Sequence, residues 1–168
     1  MLGVPLGSFE FVDDFVKKKL LGRLDDTMQK LVEFEDSQAA LFLLRISYSI
    51  VRAVHFMRTT PLVQWREQAV KFDAKIRCTA EAIIARPMSD RVYAQACLTP
   101  TLGGLGLRKT VEHAEVAFSA SWNESQSTAR EVWLVPDGVA VGAASQKAAS
   151  LKIDESIHKW LLDSPDRP

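Results

Sequence analysis

Asp13 and Asp14 are adjacent aspartates, a pair whose type and spacing could hold a divalent metal. Paired carboxylates bind Mg²⁺ in polymerases, where the metal assists phosphoryl transfer. Such a site needs strands and a turn around the carboxylates, whereas this pair lies near the start of a segment with helical periodicity. Because carboxylates in a first helical turn stabilise the positive end of the helix dipole, we interpret the pair as structural and predict no metal site.

Nucleophilic chemistry has little support in the sequence. His55, His113 and His158 are scattered and have no serine or cysteine partner at a recognisable spacing. The members of a catalytic triad need not be neighbours in sequence, so a triad stays open, but no residue pattern favours one. Cys78 and Cys97 form no CxxC pair. We therefore predict no catalytic residue and interpret the cysteines as two reduced, buried thiols of an intracellular protein.

A proline and three glycines interrupt the helical pattern in the segment LTPTLGGLGLRKT, residues 98–110. Glycine adopts backbone conformations that other residues resist, so Gly-Gly-x-Gly is typical of a tight turn or of a close backbone approach. The segment lacks the lysine and hydroxyl residue of a P-loop and the order GxGxxG. We therefore predict a close-packed turn between helices rather than a phosphate site.

One basic stripe is predicted on the second helical segment. Arg45, Ser49, Arg52, His55 and Thr59 follow steps of four, three, three and four residues, which places them on one side of an otherwise apolar helix. Buried charge is costly, so the stripe must face water, acidic side chains or a phosphate backbone. The sequence leaves a solvated, ion-paired edge and a nucleic-acid contact both open. The cluster of lysines at residues 17–19 is interpreted as a solvated helix face.

The elements that would position these residues are predicted to be helices. Apolar residues recur at helical spacing over residues 9–35, 37–58 and 61–86, with N-caps at Ser8, within the segment EDS of residues 35–37, and at Thr60. The second of these is apolar on nearly every face, which predicts the most buried helix of a bundle. A short helix over residues 89–97 precedes the glycine turn, and residues 110–122 return to helix. The expected fold is mainly α, a helical bundle with an irregular C-terminal tail in which Ile153, Ile157, Trp160 and Leu161 suggest one last short helix.

Composition narrows the class of protein further. The 168 residues carry 21 basic and 21 acidic side chains, so no global field attracts nucleic acid and any such binding must come from a local stripe. The N-terminus has no secretory signal pattern, and the longest apolar run, residues 39–44, is too short to span a membrane. We therefore expect an intracellular protein, nuclear or cytoplasmic, with no membrane partner.

Four segments in a fixed order resemble the C-terminal part of reverse transcriptases encoded by non-LTR retrotransposons. They are LGVPLGS, LLRISYSIVRAVHFMRTTP, QACLTPTLGGLGLR and AEVAFSAS, and together they cover about residues 2–121. In that family an LGxPxG segment closes the palm, a helical thumb follows, and a GGLGLR turn leads into a connector helix. The positions that match the family pattern are Gly3, Pro5, Gly7, Arg58, Thr59, Pro61, Gly103, Gly104, Gly106, Leu107 and Arg108.

The resemblance implies a domain plan. Residues 1–8 would end the palm, residues 9–97 would form a thumb-like helical domain, and residues 98–123 would be the turn and connector helix. Residues 124–168 resemble nothing in the family, and we expect a weakly structured or separately packed tail. The family's Mg²⁺-binding aspartates precede the matching region, and no YADD-like or FADD-like segment occurs in this sequence. We therefore expect a fragment that has no cofactor of its own and is not an enzyme.

Two functions from different classes are compatible with the residues and with the resemblance. The first is a thumb that contributes to binding of an RNA–DNA template–primer duplex through Arg45, Ser49, Arg52 and Arg58, in partnership with palm and fingers parts. The second is a co-opted or relic helical module that binds proteins and not nucleic acid, which zero net charge favours. An independent enzyme with an unrecognised site ranks below both.

Overall fold

The computed structural model describes residues 3–133, and this part of the chain is mainly helical and contains no strand. The first helix, α1 (Phe9–Val16), begins at Ser8, whose side-chain oxygen accepts the N–H of Phe11 at 3.4 Å. It continues as a π-helical turn, Lys17–Leu21, and ends before α2 (Leu24–Val32). The single helix predicted over residues 9–35 is therefore two helices.

The apolar stripe predicted for this first segment is confirmed. All six of its members are buried in the core: Val12, Val16, Leu20, Leu24, Met28 and Leu31. The break between α1 and α2 leaves the stripe intact, because the π-helical turn and the two residues after it return Leu24 to the core side.

The second predicted helix also contains an interruption. Asp36, within the predicted capping segment 35–37, caps α3 (Ser37–Leu43), since its carboxylate accepts the N–H groups of Gln38 and Ala39 at 2.9 and 3.2 Å. A π-helical turn, Leu44–Tyr48, follows and leads to α4 (Ile50–Thr59). Between them, Ser49 has a backbone conformation outside the helical region.

The expectation that this helix is the most buried is wrong. Leu43, Ile50 and Val54 are only half-buried, and an exposed apolar set lies on the same stretch: Phe42, Ile46 and Val51. By length and composition alone, Ser37–Thr59 could cross a membrane, a criterion that the core helix of a soluble protein also meets. The helices of residues 3–133 do not cover every face of this stretch.

The third helix starts later than predicted. Thr60 is buried and extended, and a 3₁₀ turn, Leu62–Gln64, separates it from α5 (Arg66–Ile84). Thr60 stabilises the turn, because its carbonyl accepts a hydrogen bond from the indole N–H of Trp65 at 3.2 Å. The predicted stripe of this segment is confirmed as buried: Leu62, Trp65, Ala69, Phe72, Ile76, Ala80 and Ile83.

A polar corner joins α5 to the predicted short helix, α6 (Asp90–Cys97), and the side chain of Ser89 caps it. The guanidinium of Arg77 donates to the carboxylates of Glu81 and Asp90 at 3.1 and 2.7 Å. A second 3₁₀ turn, Pro100–Leu102, then opens the glycine segment. The corner holds α6 at a fixed angle to α5.

The last described helix, α7 (Thr110–Trp133), runs past the boundary that we predicted at residue 123. Residues 124–133 therefore continue the connector helix and do not begin a tail, because nothing in NESQST stops a helix once its first turns are docked. The proposed last helix around Ile153 and Trp160 lies outside the described residues.

One apolar core serves the described helices. Its largest fully buried side chains include Trp65, Phe72 and Leu44, and it extends to Leu107 and Ala117 of the predicted connector. The most extensive packing is between α4 and α7, while α2 and the π-helical turn Lys17–Leu21 lie against α5. The residues predicted as thumb and those predicted as connector thus share a single core.

Candidate nucleic-acid interface

A groove of about 580 Å³ brings together three segments that are distant in the sequence. Its walls are residues 4–7, residues 58–61 at the end of α4, and Phe118, Ser121 and Trp122 of α7. Pro5 is buried in the first wall, and Gly7 lies against the ring of Phe11. Gly3, just outside the groove, lies beside the exposed ring of His55. Three of the four segments that carry the family resemblance therefore meet at one place.

Arg58 is the cation of the groove. Its guanidinium lies 3.5 Å from the carboxylate of Glu124 on α7, with the two side chains 45% and 78% exposed. An ion pair this exposed contributes little to stability, so the guanidinium can exchange Glu124 for another anion at small cost. The hydroxyl of the neighbouring Thr59 donates its hydrogen to the carbonyl of His55 within the same helix, at 2.7 Å.

Arg45 and Arg52 are half-buried, and neither forms an ion pair with a residue in the described part of the chain. The side chain of Arg45 lies across Gly106, where an added Cβ would approach its Nε and Cδ to 3.1 and 3.2 Å. Gly106 has φ +75°, so any other residue there is strained as well as crowded. The glycine turn thereby supports the arginine stem and leaves the guanidinium donors of Arg45 without a protein acceptor among the described residues.

Ser49 is not available to a ligand, which corrects the prediction from sequence. It is fully buried, and its hydroxyl donates to the carbonyl of Arg45 at 2.7 Å. The physical reason is the π-helical turn Leu44–Tyr48, whose hydrogen bonds span five residues instead of four and change the register of the stripe. Arg45 and Arg52 therefore do not lie on one regular helical row.

The glycine segment is a packed turn, as predicted. The five N–H groups of residues 103–107 all donate to backbone carbonyls of residues 96–100. A Cβ added to Gly104 would overlap the carbonyl group of Leu98 and lie 2.7 Å from the carbonyl oxygen of Gln95. Because these N–H groups already have partners, the turn has none left to cradle a phosphate. Arg108 follows the turn and is half-buried.

Asp73 positions the α7 wall of the groove, and sequence reasoning missed it. Its buried carboxylate accepts the N–H groups of Thr110 and Val111 at 2.8 and 3.0 Å and so caps α7 from another helix. Burial raises the pKa of Asp73, while the hydrogen bonds from Val111 and Thr110 oppose that shift. Because the capping residue lies 37 residues before the helix that it caps, no local sequence pattern could indicate it.

Asp13 and Asp14 lie in the second turn of α1 and not in its first turn, where we predicted them and where Glu10 lies. Asp13 accepts a hydrogen bond from the Gln68 amide at 2.8 Å, which ties α1 to α5, and Asp14 is exposed. Within residues 3–133 no group of three or more potential ligands surrounds a common point. Cys78 is exposed, against our expectation, whereas burial raises the pKa of Cys97 to about 12 and keeps it a thiol.

Comparison with known proteins gives no match. No protein-family model fits the chain, and no curated protein or solved structure is significantly similar to it.

Proposed function

We propose that this chain is the non-catalytic thumb and connector of a retrotransposon reverse transcriptase, an RNA-directed DNA polymerase, and helps to hold the template–primer duplex. One observation carries the proposal. Residues 4–7, residues 58–61 and the α7 pair Phe118 and Ser121 all belong to segments that resemble the family, and all line one groove. Unrelated motif matches would have no reason to converge in space.

Three arginines of the described chain support the same partner. Arg58 pairs with the exposed carboxylate of Glu124, which another anion can replace. Arg45 and Arg52 form no ion pair within the described residues. Half-buried guanidinium groups without acceptors are favourable sites for phosphate oxygens, which accept two parallel N–H bonds. We infer that these three arginines contact the duplex backbone, and that palm and fingers parts of a polymerase would be the protein partners, in the nucleus or cytoplasm.

Binding of the purified chain to a labelled RNA–DNA duplex tests the proposal. Fluorescence anisotropy across a salt series should give an affinity that falls as salt rises, with a slope of about three counterions if three arginines contact phosphates. A DNA–DNA duplex of the same sequence reports any preference for the hybrid. No binding of either duplex at low salt would refute the proposal.

A helical protein-interaction module is the second candidate, and one observation favours it. Phe42, Ile46 and Val51 expose a large part of their apolar surface along a single stretch of helix. Contiguous exposed apolar surface is typical of protein-binding faces. Under this alternative the chain binds no duplex, and F42A together with I46A abolishes self-association or partner binding in sedimentation experiments. Duplex binding that both substitutions leave unchanged would refute it.

A further inference from the structure

His55 lies between two of the arginines that we propose as phosphate contacts. It belongs to the helix α4, three residues after Arg52 and three residues before Arg58. Each step of three residues moves about 4.5 Å along a helix axis and about 60° around it, so the imidazole is midway between the two arginines in both senses. His55 and Arg58 are exposed, and Arg52 is half-buried. The three side chains therefore form one continuous row on the surface of α4.

The imidazole of His55 is oriented by two contacts. Its ring and the Phe56 ring are 5.7 Å apart and inclined by 68°, which is an edge-to-face arrangement. The second contact is with Gly3, where an added Cβ would lie 3.8 Å from Nε2. Gly3 has φ +70° and no side chain, so its backbone approaches the ring and no side chain covers Nε2 from this direction. The ring nitrogen thus lies beside the segment that continues into the wall of the groove.

His55 has no ionic partner in the described part of the chain. Its ring forms no ion pair and no side-chain hydrogen bond with a residue of this part. Residues 37–59 contain no aspartate or glutamate, and residues 3–7 beside the ring contain no charged side chain. A proton on this imidazole is therefore not already balanced by a carboxylate of the same helix or of the segment next to it.

Two helices that contact α4 contribute the remaining charges near the row. Helix α7 packs along α4, and α1 contacts it through the Phe15 and Phe56 rings, whose centres are 6.4 Å apart. The titratable side chains of α1 and of the described part of α7 are Glu10, Asp13, Asp14, Glu112, His113, Glu115 and Glu124. Glu124 lies 3.5 Å from Arg58 and is the carboxylate closest to the row along α4. Any account of pH dependence must therefore separate His55 from Glu124.

The chemistry of the row differs from that of arginine alone. Histidine is the side chain whose ordinary titration falls between pH 5 and 8, and both ring nitrogens donate hydrogen bonds when it is charged. In the free chain the charges of Arg52 and Arg58 oppose a third positive charge between them. Phosphate oxygens that bind these two arginines would favour that charge, because they accept hydrogen bonds from charged donors. Duplex binding and protonation of the ring should therefore strengthen each other.

We propose that His55, in its charged form, is a fourth phosphate contact of the duplex site and makes the affinity for the duplex rise as the pH falls. The inference rests on the proposed function, since it takes the duplex as the ligand and Arg52 and Arg58 as neighbouring contacts. It adds a binding residue and a dependence on pH that arginine, which stays charged, cannot supply. Because the complex binds one proton more than the free chain, the added affinity is present at low pH and is lost as the ring becomes neutral.

Duplex binding at two pH values tests the proposal. Fluorescence anisotropy of the full chain with a labelled RNA–DNA duplex is measured across a salt series at about pH 7.5 and at about pH 5.5. We expect about tenfold tighter binding at the lower pH and a salt slope that is larger by about one counterion. Equal affinity and an equal slope at the two pH values would overturn the inference.

Two substitutions assign the effect to the imidazole. H55Q cannot carry a charge and should bind the duplex equally at both pH values. H55K keeps a charge at both and should bind at the higher pH about as tightly as the parent binds at the lower pH. His55 is exposed, so circular dichroism should show the parent helicity in both variants. A full pH response in H55Q, or an H55K that binds no better than H55Q at the higher pH, would overturn the inference.

Two further variants serve as controls. E124Q removes the carboxylate beside Arg58, whose protonation would also strengthen binding at low pH, and it should leave the response to pH intact. Q38K adds a lysine at an exposed position near the start of α3 and should likewise keep the response. Loss of the pH response in E124Q would assign it to Glu124 and overturn the role of His55.

Failure of this inference is distinguishable from failure of the proposed function. Duplex binding that depends on Arg45 and Arg52 but not on pH overturns the role of His55 alone. A parent chain that binds no duplex at low salt, at either pH, overturns both proposals.

Discussion

Asp73 on α5 and Thr110 on α7 are joined by a hydrogen bond of 2.8 Å from the backbone N–H of Thr110 to the carboxylate of Asp73. A second bond, from the N–H of Val111 at 3.0 Å, reaches the other carboxylate oxygen. The first turn of α7 therefore takes its cap from a different helix. Because α7 forms one wall of the groove, the same carboxylate fixes the position of Phe118 and Trp122 relative to α4.

We expect D73A to destabilise the protein by about 2 kcal/mol at neutral pH, because it leaves two buried N–H groups at the start of α7 without an acceptor. D73N keeps one carbonyl oxygen and should cost less. Urea unfolding followed by far-UV circular dichroism measures both. E115A, an exposed change on α7, serves as control, with an expected effect within about 0.5 kcal/mol. A cost of D73A no larger than that of E115A would contradict the assigned role.

The stability contribution of Asp73 should depend on pH in a defined direction. Burial raises its folded-state pKa above the ordinary value of 3.8, so the folded chain binds this proton more tightly than the unfolded chain does. That contribution is fully present below the unfolded pKa and is lost as the pH rises through the folded pKa. The free energy of unfolding of the parent minus that of D73N should therefore increase as pH falls from 7 towards 4. Paired urea titrations at several pH values measure this difference, and a decrease over that range would count against it.

Gly104 should tolerate alanine far less than Gly103 does. A Cβ on Gly104 meets only backbone atoms, the carbonyl groups of Leu98 and Gln95, whereas a Cβ on Gly103 meets the flexible amide of the Gln95 side chain at 3.4 Å. We expect G104A to cost about 3 kcal/mol and G103A, where φ is +77°, about 1 kcal/mol. Thermal unfolding of the two variants gives the order, and equal costs would show that the turn can shift away from α6.

Replacing Arg45 and Arg52 with glutamine should weaken duplex binding and lower the salt slope by about two counterions. Neither guanidinium forms an ion pair with a described residue, so helicity should be unchanged. The control is R86Q, an exposed arginine between α5 and α6, which should leave the slope as it is. An unfolded double variant would instead indicate that the arginines support the core.

The purified chain should not extend a primer in Mg²⁺ or Mn²⁺. Its two adjacent aspartate pairs both lie on helices: Asp13 and Asp14 on α1, where Asp13 is bound to Gln68, and Asp25 and Asp26 in the first turn of α2. Phosphoryl transfer of this kind needs carboxylates that hold the metals in line with the primer end. Extension above that of a preparation from an empty vector, and lost in D13N, would contradict this expectation.

The sequence predicts the buried stripes of the fold well and the interruptions poorly. Val12 to Leu31 and Leu62 to Ile83 are buried as their spacing requires, because helical periodicity is a property of neighbouring residues. The breaks at Gly22 and Ser49 depend on how each helix meets the core. The exposure of Phe42, Ile46 and Val51 could not be predicted either, because the apolar composition of a helix does not specify how many other helices pack against it.

The candidate site could be predicted only in part. Arg58 and Pro61 were identified through the resemblance, and both line the groove. Trp122, which also lines the groove, was missed, because an aromatic residue at helical spacing is usually a core residue and nothing local indicates that it will be exposed. Ser49 was predicted as a site residue from its spacing, but the π-helical turn before it places its side chain in the interior.

The two π-helical turns, Lys17–Leu21 and Leu44–Tyr48, have a consequence for how the length of this chain can vary. Each holds one residue more than an α-helical turn requires. A chain shorter by one residue at either place can close into a regular helix, whereas a deletion inside α5 would rotate everything beyond it by about 100° and carry its buried row out of the core. In an alignment of homologous sequences, single-residue deletions should therefore concentrate in these two turns.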